Sequence, residues 1–405
     1  MAVPKLRFKD SGGREFPEWE EKKLGDFTER IKRKAPENSI APVMMIAAES
    51  GFIYQKDRYS RENAGKSLTN YTLLKQGEFS YNHGYSKLRN YGSVFMLKEL
   101  EARVPFVYHS FKLLNGVGDF WGYYLNSGLL DRTLKKTISS TARMDGLLNI
   151  GYEVYMDIKV RVPSLPEQQK IADFLTAYDI MIDTQTKRVE AMKTRKKGLL
   201  QKIFSQELRF KDAEGREFPE WEEKKLGELG EIITGTTPST TEKSYYDNGI
   251  YSFVTPGDMT NKNIIDITER NLSESGLRNG RIVPADSVLV VCIGATIGKC
   301  CYVNKICSCN QQINVIIPNA NFNGYFILNF IRTLEKRMKL LAGNTATPIL
   351  NKKSFSEIIG FFPFLPEQQR IADFLTAVDN QLEVEEKRLE TMKTIKKGLL
   401  QQMFV

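Results

Sequence analysis

The sequence predicts an α+β protein in which two mixed α/β blocks are separated by two long antiparallel helices, arranged as a circular pseudo-two-fold repeat. Repeated segments are the first observation: LPEQQKIADFLTA at residues 165–177 returns as LPEQQRIADFLTA at residues 365–377, with twelve of thirteen positions identical. A second near-identical pair, the entry segments at residues 7–26 and 209–228, precedes the blocks. The blocks themselves differ, so the chain is a duplication whose parts have diverged unequally.

The order of the repeated segments indicates a circular arrangement. The first long helix runs directly into the second entry segment, whereas the second helix reaches the end of the chain at Val405. The entry segment that would follow it stands at the start of the chain instead. In a closed two-fold arrangement the two termini would meet, and we therefore expect each half to repeat an entry segment, a variable block and a helix.

Length and patterning place the domain boundaries. A chain of 405 residues predicts at least two domains. We place the first globular domain at residues 1–160, the first long helix at 161–208, the second globular domain at 209–364 and the second long helix at 365–405.

Composition limits the classes of function. No apolar run approaches the roughly 18 residues of a membrane helix, and the N-terminus has no apolar signal core, so we expect a cytoplasmic protein with no membrane partner. Five cysteines, all in the second half, fit reduced thiols rather than a disulfide framework. The net charge of +9 is concentrated in the variable blocks and the first long helix, as expected if these face a polyanion.

The first variable block predicts a compact α+β domain. Short β-like runs at residues 43–47, 92–97, 104–108 and 152–162 alternate with Gly, Asn and Ser turns. A helical stretch at residues 120–134 interrupts them.

The long helices each carry one narrow apolar stripe. The first begins at Pro166, which has no N–H to lose in a first turn, and Glu167 follows it. Apolar residues then recur at steps of three, four and seven, the spacing of a helix-pair seam, with Lys196 and Lys396 among its polar gaps. Each helix needs a partner to bury this stripe, and a two-fold-related copy must run antiparallel. About 39 residues would give a rod of roughly 58 Å that separates the blocks.

The second variable block also alternates polar loops with β-like runs. It contains TGTTPS at residues 234–239, YSFVTPGD at 251–258 and a β-like run at 287–293, and a helix is expected at 325–341. Both blocks close with a short polar turn that contains the dipeptide Thr-Ala.

Two motifs of the second block resemble sites of other chemistry. GATIGKC at residues 294–300 has three residues between its glycines and a Cys after its Lys, whereas a phosphate loop needs four residues and a Ser or Thr. The pairs Cys300-Cys301 and Cys307/Cys309 lie in alternating strand patterns, which turn thiols to opposite faces and favour a buried core over a zinc site. We therefore expect no nucleotide, no metal and no cofactor.

The stretch YNHGYSKLR at residues 81–89 is the candidate binding site of the first block. Its hydroxyl, amide and cationic groups suit contacts to phosphates and base edges. The chain has only two histidines and no nucleophile elbow, HExxH or paired metal-ligand motif, so no catalytic site is visible, although carboxylate-only chemistry stays open. The basic end of the first long helix fits a polyanion groove or a solvated helix face equally well.

The whole chain resembles the specificity subunits of type I restriction-modification systems, which have two target-recognition domains, each followed by a repeated PEQ helix, in circular order. Family-like stretches lie at residues 71–89, 235–239, 295–298 and 310–311. The resemblance implies a non-catalytic reader of double-stranded DNA that recognises a bipartite site, one half-site per domain. It also implies assembly with two adenine-methyltransferase subunits, which bind S-adenosylmethionine, and with restriction subunits. The Asn-Pro-Pro-aromatic motif of those methyltransferases is absent, as expected for this subunit.

Candidate site residues follow from these stretches. The candidate DNA contacts of the first domain are Tyr81, Asn82, His83, Tyr85, Ser86, Lys87, Arg89, Thr141 and Arg143. Those of the second domain are Thr236, Thr237, Ser239, Thr255, Asp258, Thr296, Lys299, Asn310, Gln311, Thr345 and Thr347. The candidate partner contacts begin each long helix: Glu167, Gln168, Ile171, Phe174, Glu367, Gln368, Ile371 and Phe374.

Two other functions stay open from the sequence. The chain fits a scaffold whose rod spaces two protein-binding modules, and it also fits a nuclease or methyltransferase with an unrecognised site. Duplex binding that weakens steeply with salt separates a DNA reader from a protein scaffold, because phosphate contacts release counterions. Activity of the purified chain separates a DNA reader from an enzyme.

Overall fold

The computed structural model describes residues 4–48, 50–58, 68, 70–86, 89–137, 148, 150–260, 263–265 and 267–404. The chain forms two compact units, the first of Met1–Thr186 with Lys387–Val405 and the second of Lys187–Glu386. Each unit therefore contains one variable block, the first half of the long helix that follows it and the second half of the other long helix. None of the described helices is long and apolar enough to cross a membrane.

Short antiparallel strands build the first unit. They are β1 (Glu20–Lys23), β2 (Thr28–Arg30), β3 (Met44–Ala47), β4 (Gly51–Tyr54), β5 (Thr72–Lys75), β6 (Phe79–Asn82), β7 (Ser93–Met96), β8 (Glu101–Val104), β9 (His109–Leu113) and β10 (Lys159–Val162). Four of them form the central sheet in the order β2-β9-β6-β7, and the pairs β3–β4, β5–β8 and β1–β10 lie beside it. The pair β1–β10 joins the entry segment to the residues that precede the long helix.

The described residues of the first unit also form four short helices and the start of a long one. They are α1 (Gln55–Arg58), α2 (Gly118–Leu125), α3 (Asp131–Thr137), α4 (Tyr152–Met156) and the long α5 (Leu165–Phe204). Phe79 and Phe111 of the sheet stack at 5.4 Å and share the main core with Trp121 of α2 and Ile171 of α5. Phe404, near the end of the chain, packs in the same core. Residues from the end of the chain therefore complete the core of the unit that contains the start of the chain.

The second unit repeats this plan. Its strands are β11 (Glu222–Lys225), β12 (Gly230–Thr234), β13 (Tyr251–Val254), β14 (Arg270–Leu272), β15 (Ser287–Val291), β16 (Cys300–Val303), β17 (Ser308–Cys309), β18 (Ile313–Pro318) and β19 (Ile359–Phe362). Its helices are α6 (Glu274–Asn279), α7 (Gly324–Thr333), α8 (Glu335–Ala342), α9 (Lys352–Ser356) and the long α10 (Leu365–Met403).

Both units share one sheet order although their blocks differ in sequence. The sheet β12-β18-β15-β16 has the order and antiparallel pairing of β2-β9-β6-β7, and β11–β19 repeats β1–β10. A smaller sheet, β14-β13-β17, is added in the second unit and includes one parallel pair. Two different sequences therefore form one central framework, and the units differ in the smaller strand groups and the loops around it.

Several elements expected from the sequence differ in the structure. The stretch at 120–134 forms two helices, because Gly128 adopts a φ of +86° between α2 and α3. The helix expected at 325–341 is likewise divided at Leu334. The β-like run at 104–108 ends in a turn that starts at Pro105. The first part of 152–162 is helical, with Tyr155 N donating to Gly151 O at 3.0 Å and Asp157 N to Glu153 O at 2.9 Å.

The long helices pair in antiparallel fashion within each unit, as predicted. In the first unit, Ile171 shares a core with Met403, whereas Asp179, farther along α5, forms an ion pair with Lys396, earlier in α10. The second unit repeats the geometry with its own residues: Ile371 packs in the core with Ile203, and Asp379 forms an ion pair with Lys196. The lysines that interrupt the apolar stripe are thus paired with carboxylates of the facing helix.

A buried ion pair joins the first entry segment to the start of α5. Both oxygens of Glu167, a residue with no solvent exposure, accept hydrogen bonds from Arg7, at 3.0 Å from Nε and 2.7 Å from Nη2. The same Nη2 donates to the backbone carbonyl of Pro17 at 2.7 Å. One guanidinium therefore fixes both the helix start and the fold of the entry segment.

The second unit contains the same clamp with one added bond. Arg209 donates to the two oxygens of the fully buried Glu367 at 2.8 and 2.9 Å. Trp221 Nε1 donates to Glu367 Oε2 at 3.1 Å. Its counterpart, Trp19 Nε1, is buried and has no hydrogen-bond partner among the described residues.

Repeated glutamines fasten the helix starts to the variable blocks through backbone atoms. Gln168 donates to Pro163 O at 3.0 Å and accepts from Val117 N, the residue before α2, at 3.0 Å. Gln368 likewise accepts from Asn323 N, the residue before α7, at 2.9 Å. Because the contacts use main-chain atoms, they tolerate different side chains in the two blocks.

The equivalent residues Trp19 and Trp221 should contribute unequally to the stability of the chain. Trp221→Phe should lower the free energy of unfolding by about 1.5 kcal/mol more than Trp19→Phe, because only Trp221 loses a hydrogen bond to a buried charge. The ring volume removed is the same in both variants. Urea unfolding of the whole chain, with hydrogen exchange to follow each unit, measures the difference. Equal losses would mean that the Trp221–Glu367 bond adds no net stability.

Candidate nucleic-acid interface

Loops of the second unit converge at one end of its central sheet. They are residues 235–239 after β12, 255–258 after β13, 292–299 after β15, 310–312 before β18 and 343–349 before α9. The ends of β12 and β15 meet the start of β18 here, because both strands pair antiparallel with it. The sheet topology therefore brings together segments that are far apart in the sequence.

Hydrogen bonds join these loops to one another. Thr237 Oγ1 lies 2.7 Å from Gln311 Oε1, which joins the loop after β12 to the loop before β18. Cys292 N donates to Gln312 O at 2.8 Å, and Gly294 N donates to Pro348 O at 2.9 Å. The loops consequently form a continuous surface rather than separate projections.

Predicted DNA contacts of the second domain lie on this loop surface. Exposed side chains are Thr236, Thr237, Ser239, Lys299, Gln311, Thr345 and Thr347. Half-buried side chains are Thr255, Asp258, Thr296 and Asn310. Apart from the Asp258 carboxylate, the set presents hydroxyls, amides and one ammonium group, which are groups that bind phosphates and base edges. Their direct contact with DNA stays a prediction.

Asp258 has a structural task within this surface. Its carboxylate accepts hydrogen bonds from Thr255 N at 2.8 Å, Thr255 Oγ1 at 2.6 Å and Glu269 N at 2.8 Å. These bonds fix the turn after β13 and the orientation of the Thr255 hydroxyl. Much of the hydrogen-bonding capacity of Asp258 is therefore used inside the domain.

Two residues of this surface were missed in the sequence. Arg281 is exposed and its Nε donates to Thr234 O at 3.3 Å, which places a positive charge beside the loop after β12. Gln312 is half-buried and accepts from Asn310 Nδ2 at 3.0 Å. Gln312 follows the quoted Asn310-Gln311 pair directly and could have been included, whereas no local pattern distinguishes Arg281.

Two of the predicted contacts in the first unit are corrected by burial. Tyr81 is 1% exposed, stacks on Tyr155 at 4.3 Å and donates from its hydroxyl to Tyr91 O at 2.6 Å, so its side chain belongs to the core. His83 is 6% exposed, and its ring nitrogens lie 2.9 Å from the carbonyls of Leu148 and Val107. Tyr81 in β6 and His83 just after it are two residues apart, so extended backbone directs both side chains to the same face.

The two histidines of the first unit stack on each other and contact backbone carbonyls of neighbouring segments. His83 stacks on His109 at 4.7 Å, and His109 Nε2 lies 2.8 Å from Ile150 O. Burial lowers the pKa of His109 to about 4, so it is uncharged near neutral pH. These rings hold residues 148 and 150, which follow the predicted polar turn.

The remaining predictions for the first domain divide into three groups. Tyr85 is exposed, whereas Arg89 is half-buried and donates to Asn126 O at 2.7 Å. Ser86 Oγ accepts from Arg89 N at 3.0 Å, and Asn82 donates to Ile46 O at 3.2 Å, so both also shape the loop. Lys87, Thr141 and Arg143 lie outside the described residues.

Predicted partner contacts at the helix starts have roles inside their units. Six of them are buried: Glu167, Gln168, Ile171, Glu367, Gln368 and Ile371. We correct the prediction that these six contact a partner directly, because their polar atoms are hydrogen-bonded and their apolar atoms are packed within the unit. Phe174 and Phe374 are half-buried against Phe8 and Phe210 at ring distances of 5.5 and 5.4 Å.

The motifs that resembled other sites have structural roles. Gly294 and Gly298 adopt φ values of +94° and +93° in the connection from β15 to β16, which explains the glycines of this turn. All five cysteines are buried, and burial raises the pKa of each thiol. The described residues contain no group of ligands arranged to hold a metal ion.

The two units define a duplicated α+β protein with a polar loop surface on a shared framework. The model of the type I restriction modification DNA specificity domain matches the chain twice, at residues 17–193 and 219–394. The chain therefore belongs to the family of type I restriction-modification DNA specificity proteins.

Individual relatives agree with this assignment. The MjaVIII specificity subunit of a type I restriction enzyme from Methanocaldococcus jannaschii is 25% identical over 97% of this chain and 94% of its own length. The HindI specificity subunit from Haemophilus influenzae is 34% identical over 43% of this chain and 39% of its own length. A crystal structure of an S subunit from M. genitalium has the same fold, with a TM-score of 0.58 at 15% identity, covering 100% of this chain and 99% of that one.

Gly235 lies so close to neighbouring main-chain atoms that a side chain at this position should destabilise the loop. A Cβ there would lie 2.3 Å from Asn310 O and 2.5 Å from Cys309 O. Gly235→Ala should therefore displace the loop before β18 and lower the free energy of unfolding by about 2 kcal/mol. Gly257→Ala is the control, since its Cβ would meet only Thr255 Oγ1 at 3.6 Å.

Hydrogen exchange of residues 309–313 measures the loop displacement, and chemical denaturation measures the stability. Similar results for the two variants would show that the loop accepts a side chain at position 235.

Proposed function

We propose that this chain is the non-catalytic specificity subunit of a type I restriction-modification complex in the cytoplasm. It reads a bipartite DNA site, one half-site per variable block, and docks two adenine-methyltransferase subunits. The observation that carries the proposal is the surface of converging polar loops at the sheet end of the second unit, in a chain whose two halves both match a DNA specificity domain.

The chemistry of the loop surface supports DNA as the ligand. Exposed Thr and Gln side chains offer short hydroxyl and amide groups that fit base edges, while Lys299 and Arg281 add positive charge suited to phosphates. The net charge of +9 adds long-range attraction for a polyanion. This combination favours nucleic acid over the protein-binding scaffold that the sequence left open.

Unequal divergence supports two different half-sites. The units keep one sheet order, whereas the loops that extend from it differ in length and sequence. A framework of this kind holds different loops in equivalent positions. Each variable block then reads its own base sequence, and the two half-sites together make the bipartite target.

Near-identity of the repeated segments supports two copies of one partner. In the proposed complex the methyltransferase subunits bind S-adenosylmethionine and supply catalysis, and restriction subunits join the same assembly. The chain itself binds no cofactor in this proposal. Its contribution is to place the catalytic subunits on the chosen sequence.

A block exchange tests independent reading. Replacing residues 27–160 with the corresponding block of a relative should change only one half of the methylated sequence, because the second loop surface is built by residues of the second unit. Genome-wide mapping of methylated adenines in a host expressing the complex gives the answer. A change in both halves would contradict one half-site per block.

Substitution of Lys299 tests whether DNA binds at the loop surface. Lys299→Ala should weaken duplex binding by the assembled complex and reduce the slope of log K against log salt by about 1, as expected for one lost phosphate contact. Lys305→Ala is the control, because Lys305 is also exposed but lies in the turn after β16, at the opposite end of β15.

Titration of binding against salt by fluorescence anisotropy measures both quantities. If Lys299→Ala and Lys305→Ala change the slope equally, the DNA does not lie on the loop surface.

A further inference from the structure

The strands β9 and β18 correspond to each other residue by residue. Leu114 N donates to Phe27 O at 2.8 Å, and Asn319 N donates to Leu229 O at 2.9 Å. Phe27 and Leu229 each directly follow a repeated entry segment, so Leu114 corresponds to Asn319. From these bonds the pairs β2–β9 and β12–β18 continue in the same register. Each residue of β9, and of the turn before it, therefore has a defined counterpart in the second unit.

The chain enters both strands through the same kind of four-residue turn. Tyr108 N donates to Pro105 O at 3.1 Å, and Ile313 N donates to Asn310 O at 3.2 Å. In each turn the first and third residues are half-buried, the second is exposed and the fourth is buried. The two turns therefore share both their closing hydrogen bond and their pattern of exposure.

The loop after the neighbouring strand holds the third residue of each turn. His83 Nε2 lies 2.9 Å from Val107 O in the first unit, and Cys292 N donates to Gln312 O at 2.8 Å in the second. Residues 310–312 form part of the loop surface of the second unit. The turn before β9 is therefore the corresponding part of the first unit.

The two turns have opposite side-chain chemistry. Three amides occupy the first three positions in the second unit and three apolar side chains occupy them in the first: Asn310, Gln311 and Gln312 against Pro105, Phe106 and Val107. Phe106 is 61% exposed, at the position of the exposed Gln311. Since a polar residue occupies this position in the second unit, the turn itself does not require an aromatic side chain there.

Phe106 is held in place by the residues on both sides of it. The ring of Pro105 restricts the backbone that leads into the turn. His83 lies within hydrogen-bond distance of the Val107 carbonyl, and Tyr108 is 9% exposed and packs in a core with Val104. A side chain on such a preorganised turn loses little backbone freedom when it binds a ligand, which favours recognition.

A single exposed apolar side chain is common on protein surfaces and indicates no ligand by itself. Leu100 and Leu114, which are 79% and 59% exposed, are of this kind. Phe106 differs from them because its counterpart is an exposed amide of the loop surface. A second exposed aromatic residue, Tyr85, follows β6 at the same end of the sheet, since β6 and β9 are antiparallel. Exposed aromatic side chains thus lie where the second unit presents polar groups.

We infer that Phe106 reads a base of the first half-site by contact with the C5-methyl group of a thymine. The inference rests on the proposed function, which assigns one half-site to each variable block. A phenyl ring has no hydrogen-bonding atom, so it distinguishes bases only through apolar contact. In the major groove the thymine methyl offers this contact, whereas a Gln side chain pairs with the edge of adenine. The same turn then reads an A·T pair by apolar contact in one unit and by hydrogen bonds in the other.

Replacement of thymine by uracil removes only the methyl group and tests this contact. Each thymine of the bipartite site is replaced in turn, and fluorescence anisotropy measures the Kd of the assembled complex for each duplex. At one position, in one half-site, the unmodified chain should lose about fourfold in affinity, the value for one buried methyl group. Phe106→Gln should bind thymine and uracil equally at that position, because its turn then carries the side chain of Gln311.

Two further variants separate base reading from folding. Phe106→Leu keeps an apolar side chain and should retain a preference for thymine. Leu114→Ala is the control, because Leu114 is exposed at the opposite end of β9, and this variant should keep the full preference. A role of Phe106 in folding alone would weaken binding to thymine and uracil duplexes by the same factor. Circular dichroism and thermal unfolding should match for all variants, because the replaced side chains are exposed.

Other results contradict the inference. Phe106 does not read a methyl group if the unmodified chain has no preference for thymine, or if Phe106→Gln keeps that preference at every position. Loss of the preference in Phe106→Leu would rule out apolar contact, and its loss in Leu114→Ala would mean that the effect does not belong to the turn. A Phe106 variant that fails to fold, or that folds but binds neither duplex, would show a role larger than one methyl contact.

Failure of the proposed function gives a different result. In that case the unmodified complex does not bind the duplex that carries the methylated sequence at all. Specific binding by the unmodified complex together with any of the contradicting results would reject the role of Phe106 alone.

Discussion

The buried carboxylate at the start of each long helix is the interaction on which the rest of each unit depends. Glu167 and Glu367 have no solvent exposure, and each receives two hydrogen bonds from the arginine of an entry segment. Loss of either partner from such a pair typically costs about 3 to 5 kcal/mol, because the remaining charge is left buried. The clamp therefore requires the Arg, the Glu and the short segments that carry them to stay unchanged, which accounts for much of the repetition seen in the entry segments and helix starts.

The neighbouring glutamines show how constant and variable parts coexist. Gln168 and Gln368 accept hydrogen bonds from main-chain N–H groups that precede α2 and α7. The 3₁₀ turns that end the entry segments are also held by main-chain bonds: Leu24 N and Leu226 N donate to carbonyls that precede β10 and β19. Hydrogen bonds to main-chain atoms can form whichever side chains the block carries. Each block therefore folds onto the same sheet order while its loops differ, and a loop surface of new sequence leaves the constant helix starts unaltered.

Some of this architecture was predictable and some was not, for physical reasons. The duplication and the long helices were predicted, because an apolar stripe that keeps a helical period over about 40 residues is typical of a long paired helix and of little else. Candidate residues such as Thr236, Gln311 and Thr345 could be named from the sequence, because they lie in polar turns, whereas the convergence of these turns depends on the sheet; their contact with DNA stays a prediction. Tyr81 and His83 were misassigned, because a polar aromatic stretch has the same composition whether it faces solvent or a core. Their burial depends on Tyr155 and Leu148, far away in the sequence.

Asp179 and Asp379 are the one identical pair between residues 178–186 and 378–386 at the helix centres, and this identity follows from the register of the helix pair. Burial lowers the pKa of Lys196 while Asp379 opposes the shift, so the ammonium depends on this carboxylate. Asp379 also accepts from the hydroxyl of Tyr325 at 2.8 Å, and Asp179 accepts from Tyr123 at 2.7 Å and pairs with Lys396. An apolar stripe alone permits helices to slip by a turn. A slip would separate each buried lysine from its carboxylate and each tyrosine from its acceptor, at a cost of several kcal/mol for an unpaired buried charge. The polar gaps in the seam thus hold the helix halves of each unit in one register, as single polar residues do in coiled coils.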